Sequence, residues 1–318
     1  MAVYNGGGFL RTAIDSILDQ TYPAFQFLIV DDASTDDTRE TVRSYNDERI
    51  ELLCLDKNVG QTAALNAGLH HASTRWVARM DADDYSAPTR LEEQMQVLDS
   101  DPSINCLGAF AWIFHDDPSV SDGVITTPES YDDIKRVLVG SPVIHGTIII
   151  KRDALLEVGG YKDRYRYCAD IEMYDRFLPR YTAAVLPRQL LGVRRHVNQG
   201  SNTRVAFDEA IEISINRLAT CNYSHKDAAV IKASLSRAYL SRTRFLAKEK
   251  KFLSVLKDML SALRISTKTF LYNCLIVYVV YNLPERTRNK ISGVLQSLPR
   301  PLRFPFNRVS RHYYKSER

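Results

Sequence analysis

Apolar positions in this chain fall into short continuous runs separated by stretches with helical spacing. Phe25 to Val30 (FQFLIV) is too short for a helix and ends on Asp31-Asp32, which predicts a buried parallel strand with acid at its carboxyl end. Ile50 to Leu55 predicts another such strand. Arg75 to Met80 predicts a third, running into Asp81, Asp83 and Asp84 at a bend closed by Pro88. Between the strands, Phe9, Leu10, Ala13, Ile14, Ile17 and Leu18 mark one helix. Ser34 to Asp36 are placed to cap a second that runs to about Tyr45, and Ala64, Leu65, Gly68 and Leu69 mark a third. Repeated strand, polar loop and helix predict an α/β fold with an open, mostly parallel sheet flanked by helices. Ligands of such sheets bind outside the carboxyl ends of the strands, where both acidic clusters fall. Val3 and Tyr4 look like the end of a strand ahead of the glycine turn Asn5 to Gly8, so an upstream stretch is expected to complete it.

Farther on, Arg90 to Leu98 is amphipathic, Cys106 to Phe114 and Thr147 to Ile150 read as strands, and Cys168-Ala169-Asp170 opens a helix through Phe177. A short helix is expected near Ile134 to Val139, and Gln189 to Asn198 closes the unit. From Phe207 onward the pattern turns to helices with basic faces, so the chain divides into an α/β domain over 1–202 and a helical, basic region over 203–318. The run Phe270 to Leu283 is apolar and aromatic over 14 residues. A bilayer core of about 30 Å needs roughly 20 helical residues, so the run suits a helix lying in a membrane interface or buried in a bundle.

Composition adds a location and a partner. The net charge is only +4, yet residues 284–318 carry nine Lys or Arg against two acids. Such a tail seeks an anionic surface, and the expected one is membrane phospholipid rather than nucleic acid, although Phe304, Phe306, Tyr313 and Tyr314 would serve either. Five scattered cysteines without a CxxC pair argue for a reducing compartment and against structural zinc. No basic-then-apolar leader follows Met1, so the expected location is cytoplasmic, peripheral to the inner face of a membrane.

The chemistry concentrates in the acids. Three carboxylates this close raise one another's pKa unless a cation or donor neutralises them, which alone divides about evenly between a divalent metal carrying phosphate oxygens and a solvated turn; their place with Asp32 at strand ends facing one crevice favours the metal. An EF-hand is excluded, because Tyr85 and Ser86 stand at its fifth and sixth positions. Gly6 to Gly8 lacks the GxGxxG spacing, and no GxxxxGK[ST] occurs, so phosphate is expected to be held through metal.

Several blocks in order, YNGGGFLRTAIDSILDQTYPAFQFLIVDDASTDDT, NVGQTAALNAGL, ARMDADDYSAPTRLE, HGTIIIKRDALLEVGGY, the Asp170 helix and VRRHVNQGS, resemble the family 2 glycosyltransferases of GT-A fold over about residues 1–202. The resemblance implies an inverting transferase that takes a nucleotide-sugar donor and a divalent cation, Mg or Mn. It implies that Tyr4 and Asp32 hold the nucleobase, that Asn58 and Gln61 line the nucleotide pocket, and that Asp81 and Asp83 are the DxD pair. Asp83 is then the better metal ligand, and Asp81 serves ribose or metal. Asp170 is implied as general base, with Ala169 where the family usually has Glu. Arg194 and His196 are implied at the diphosphate and metal, and His145 near the acceptor or packed. A covalent role for Cys168 is not expected, because inversion needs no covalent intermediate. A glycan or lipid-linked acceptor fits the apolar run and basic tail. A non-catalytic nucleotide-sugar binder and a nucleotidylyltransferase remain as alternatives.

Overall fold

The computed structural model describes residues 1–135, 137, 140–196, 203–220, 224–249 and 251–266. The apolar run 270–283 and the basic tail lie outside the described residues.

Two sheets carry the α/β part. The first has the order β1-β2-β3 and is wholly parallel. In it β1 (Ala2–Val3) pairs with β2 (Phe27–Asp31), and β2 pairs with β3 (Ile50–Cys54) in register from Phe27↔Ile50 to Asp31↔Cys54. The crossovers are α1 (Leu10–Leu18) with α2 (Thr38–Arg43) nearby, and α3 (Gln61–His71) follows β3. Leu10, Ala13, Ile14 and Ile17 of α1 are buried with Val3, Phe27 and Ile29, which is the face that the sequence spacing predicts.

The second sheet is mixed. Its path runs β4 (Trp76–Ala78), β8 (Ile149–Lys151), β6 (Cys106–Phe114), β9 (Ala183–Arg194), β5 (Tyr85–Ser86), with β7 (Gly123–Ile125) on β6. Here only β6 and β9 run parallel; β4–β8, β6–β8, β6–β7 and β5–β9 are antiparallel. The third predicted strand therefore joins a different sheet from the first two, and only its middle, Trp76–Ala78, is ladder. A cavity of about 310 Å³ lies between the two sheets, lined by Met1, Phe27 and Leu28 on one side and Trp76, Val77 and Ile150 on the other. Close packing elsewhere is severe: a Cβ on Gly108 of β6 would stand 2.2 Å from Val143 Cγ1.

α4 (Arg90–Ser100) and α6 (Arg152–Glu157) pack on the mixed sheet, with α5 (Tyr131–Lys135) ahead of α6. α7 (Ala169–Phe177) supplies Met173, Tyr174 and Phe177 to the largest core cluster. The C-terminal helices α8 (Arg204–Thr220), α9 (His225–Lys248) and α10 (Phe252–Ile265) pack on one another around Ile211, Leu235 and Ala238. Arg242 ties them together through Asp208 and Asp258. The division expected at residue 202 is bridged, because Ile213 of α8 joins the core cluster that contains Met173 and Phe177. Among the described residues no helix is long and apolar enough to cross a membrane.

Candidate active site

β4 delivers Asp81, Asp83 and Asp84 to the turn before β5, where one carboxylate oxygen from each lies within 4.8 Å of the others. Each acid has a different set of neighbours. The Arg79 guanidinium grips both oxygens of Asp81, and Gln61 Nε2 donates to Asp81 Oδ1 at 3.0 Å. Asp83 Oδ2 is 2.9 Å from His196 Nε2. Asp84 is buried and accepts the Arg194 backbone N–H at 3.0 Å. Burial pushes the Asp84 carboxyl well above its usual range, and Asp81 and Asp83 beside it push the same way. Asp81 is raised too, by burial first, with Arg79 opposing.

Beneath the acids lie two arginines that sequence reading did not place in the site. Arg79 is nearly buried, and its Nε has no partner among the described residues. Arg90 is 1% exposed and gives Nη2 to the Arg79 carbonyl at 2.8 Å. Burial, then repulsion from Arg79, lowers Arg90 to about 10. The signal for Arg79 was a cation set within the apolar stretch Trp76 to Met80, just before the acids. Arg90 gave none, since a charged residue at the start of a helix ordinarily faces water.

The Arg79 charge also acts on the Asp170 side of the site. Asp170 stands in the first turn of α7, where burial raises its carboxyl above the usual 3.8 while a hydrogen bond with Ser141 and the Arg79 charge oppose. His145 is pushed well below its usual value by burial and then by Arg79, and its Nε2 is 2.8 Å from the Tyr161 hydroxyl. A neutral His145 packed edge-on to Tyr161 matches the packed alternative for that residue. Burial, with Asp170 and Glu209 adding, pushes the Cys168 thiol up to about 12, so Cys168 stays protonated and is a poor nucleophile.

The residues expected on the nucleotide side are spread along the ends of β1 to β3. Tyr4 is half exposed. Asp32 is buried, and its carboxylate accepts the Val59 and Gly60 backbone N–H groups at 2.7 and 2.8 Å, while its carbonyl accepts Asn58 Nδ2 at 3.2 Å. Gly60 has φ +91, a conformation a side chain would strain, and its N–H is one of the pair that Asp32 takes. Ala33, just after Asp32, is held at φ 59 despite its Cβ, at a cost of about 1–2 kcal/mol. Asp32 and Asn58 thus shape the loop that presents Gln61 to Asp81. The Arg194 guanidinium lies 4.7 Å and 4.5 Å from the ring centroids of Phe9 and Phe114. It donates to the carbonyls of Asp83, His115 and Asp116, which puts it under the Asp83 turn as a brace.

An all-oxygen set of crowded carboxylates fits a hard divalent cation such as Mg or Mn. Asp83, whose carboxylate meets the His196 ring, is the acid best placed to turn toward one.

The description Glycosyl transferase family 2 belongs to the family model that matches residues 1–159. EpsE of Bacillus subtilis (strain 168), named as a glycosyltransferase, is 34% identical over 182 residues, 56% of this chain and 64% of EpsE. Amylovoran biosynthesis glycosyltransferase AmsE of Erwinia amylovora is 29% identical over 189 residues, 58% of this chain and 70% of AmsE. The chain spans about three fifths of the length of the first curated relatives it matches. Among solved structures, S. aureus TarS 1-349 in complex with UDP-GlcNAc superposes with a TM-score of 0.62 at 16% identity, covering 83% of this chain and 79% of that one. Mannosyltransferase PcManGT from Pyrobaculum calidifontis, in complex with GDP-Man and Mn2+, gives 0.56 at 20% identity, covering 90% and 80%. These likenesses show the fold, which is GT-A.

Proposed function

The chain belongs to glycosyl transferase family 2, and on that premise we propose that it moves a sugar, with inversion, from a nucleotide-diphosphate donor to a hydroxyl of a polysaccharide or lipid-linked acceptor. The observation that carries the reading is the Asp81, Asp83 and Asp84 cluster, one carboxylate oxygen from each within 4.8 Å of the others, with the buried Arg79 guanidinium paired to Asp81. Direct inversion needs one group to take the acceptor proton and another to neutralise the departing diphosphate. Asp170 takes the proton from the acceptor hydroxyl as its oxygen bonds to the anomeric carbon, and the diphosphate leaves with the electron pair of the broken carbon–oxygen bond. A raised Asp170 pKa makes the ionised form a stronger base than an exposed carboxylate. A divalent cation held by Asp83 and Asp81, with His196 alongside, would supply Lewis-acid neutralisation of that diphosphate. Tyr4 offers an exposed ring on which a nucleobase can stack, and Asp32 holds the loop beneath it.

The names of AmsE and of the teichuronic acid protein TuaG, 35% identical over 144 residues, support a polysaccharide acceptor. Support for a peripheral membrane position comes from α10, which exposes Leu253, Leu256 and Leu260 alongside exposed Lys257 and Arg264. Leucines flanked by cations suit the boundary between acyl chains and anionic headgroups.

The test is a thermal-shift panel of UDP-, GDP- and dTDP-sugars with Mn2+ or Mg2+, followed by assay of nucleoside diphosphate release from whichever donor shifts the protein. One donor should stabilise the chain in a metal-dependent way, and Asp83→Asn should remove both the shift and the release. Asp170→Asn should keep the shift and lose the release, by about 10²–10⁴-fold for a missing general base. Binding without any release from the wild type would favour a non-catalytic binder, and Asp170→Asn at full turnover would discard the base assignment.

A further inference from the structure

The loop that leads into Asp170 takes its shape from a carboxylate on α8. Glu209 is 6% exposed, and its two oxygens accept the backbone N–H groups of Arg166, Tyr167 and Cys168 at 2.6, 2.8 and 2.8 Å. Three consecutive amides converging on one charged acceptor fix the loop more firmly than neutral hydrogen bonds would. Cys168 is the N-cap residue of α7, yet its side chain makes no capping hydrogen bond, and Ala169 has no polar group to offer. Cys168 Sγ instead donates to the Ala206 carbonyl of α8 at 3.5 Å. Arg217 of α8 pairs with Asp175 farther along α7, and Glu212 accepts the Tyr165 hydroxyl at 2.9 Å. α8 therefore holds α7 near both ends, and Glu209 is the member of this clamp that acts on the backbone next to Asp170.

We infer that Glu209 is a positioning residue for sugar transfer: by gathering the amides of residues 166–168 it sets the first turn of α7, and with it the place and angle of the Asp170 carboxylate. The inference rests on the proposed role of Asp170 as base. It makes the helical region after residue 202 part of the catalytic architecture, although the family match ends at residue 159. A base displaced by about 1 Å costs about a hundredfold in rate while ground-state binding at the opposite side of the site is untouched.

The test uses the full chain with the donor chosen by the thermal-shift panel and Mn2+, comparing Glu209→Ala, Glu209→Gln and Asp170→Asn. Glu209→Ala should lower kcat for diphosphate release about a hundredfold and leave the donor Kd within about twofold. The acidic limb of its pH–kcat profile should move to lower pH as water reaches Asp170, and amide hydrogen exchange should quicken across 166–168. Glu209→Gln keeps an acceptor oxygen and should lose only about tenfold, between wild type and Glu209→Ala. Glu209→Ala with wild-type kcat beside an inactive Asp170→Asn overturns the inference and leaves the base reading standing. A loss of donor affinity as large as the loss of kcat also overturns it, because the residue would then be a general structural support. Should alanine prevent folding, Glu209→Gln decides, and an unchanged kcat and pH limb there counts against the inference. A fully active Asp170→Asn removes the base reading itself.

Discussion

Arg79→Met should destabilise the metal-free protein sharply and the metal-loaded protein much less. Arg79 is 10% exposed at its side chain and pairs through two nitrogens with Asp81, which is 28% exposed. Removing one member of a buried pair leaves the other as an uncompensated charge, at about 3–5 kcal/mol. Asp81 keeps Gln61 and some water, which places the cost near the lower end, about 3 kcal/mol. For a domain of this size each kcal/mol lowers Tm by about 2–4 °C, so the variant should melt about 6–12 °C below wild type in EDTA. A cation bound to the acids replaces the lost charge, and at a hundred times its Kd it returns about 2.7 kcal/mol to the folded state. Differential scanning calorimetry in EDTA and in saturating Mn2+ measures both quantities. Arg79→Met combined with Asp81→Asn should recover much of the loss, since the stranded carboxylate is then gone. A metal-free Tm within about 2 °C of wild type, corresponding to less than about 1 kcal/mol, would refute the argument. So would a double variant whose loss is the simple sum of the single ones.

Stability of the metal-free chain should depend on pH through Asp84. Its folded-state pKa is raised by burial and then by Asp81 and Asp83; an acid raised on folding contributes stability fully present below its unfolded value near 3.8 and lost as pH rises through the folded value. Urea midpoints measured upward from pH 4 should fall, and Asp84→Asn should flatten that slope; an Asn variant with the wild-type slope would rule Asp84 out as the source. At the other end of the chain, Leu253→Ser with Leu256→Ser and Leu260→Ser should weaken sedimentation with phosphatidylglycerol vesicles at least about tenfold, about 1.4 kcal/mol. Equal binding by the triple variant would separate α10 from any membrane contact.

The α/β layout was legible because its signals are local. FQFLIV ending on Asp31, and the spacing of Leu10, Ala13, Ile14 and Ile17, express burial within a few residues of chain, and the structure buries Phe27, Ile29 and Val30 of the strand and all four of the helix positions. Sheet membership was not legible. Trp76–Ala78 carries the same pattern as the earlier strands, but its partner β8 lies more than 70 residues on, and no local feature encodes an antiparallel ladder with Lys151 opposite Trp76. Two-residue β5 escaped for a related reason, since Tyr85 and Ser86 become a strand only by meeting Gly192 and Leu191. In the site, the acids announced themselves by crowding, whereas their compensation did not. Arg90 looks like an ordinary first-turn residue, and Glu209 like one of many helix glutamates, until distant backbone groups meet them.

That hidden compensation changes what the acid cluster implies. Crowded carboxylates alone divide between a cation site and a solvated turn, and in the sequence only Arg79, two residues before Asp81, hints at what balances them. In the folded chain Arg79 balances Asp81, and Asp84 is pushed toward its neutral form by burial and its acidic neighbours. The need for external charge therefore falls most on Asp83, held by His196 on one oxygen and by Arg194 at its backbone carbonyl. A cation drawn to Asp83 would compete with His196 for that oxygen, and the Arg79 grip on Asp81 would limit how far the second acid could follow. Metal affinity in this protein should then depend on the Arg79–Asp81 pair as much as on the number of acids. Loosening that pair should tighten metal binding, the opposite of what a count of ligands alone would suggest. Mn2+ titration of Arg79→Met by calorimetry reads the sign directly: a smaller Kd than wild type follows from this charge balance, and a larger one would mean that Arg79 holds Asp81 in the ligating pose.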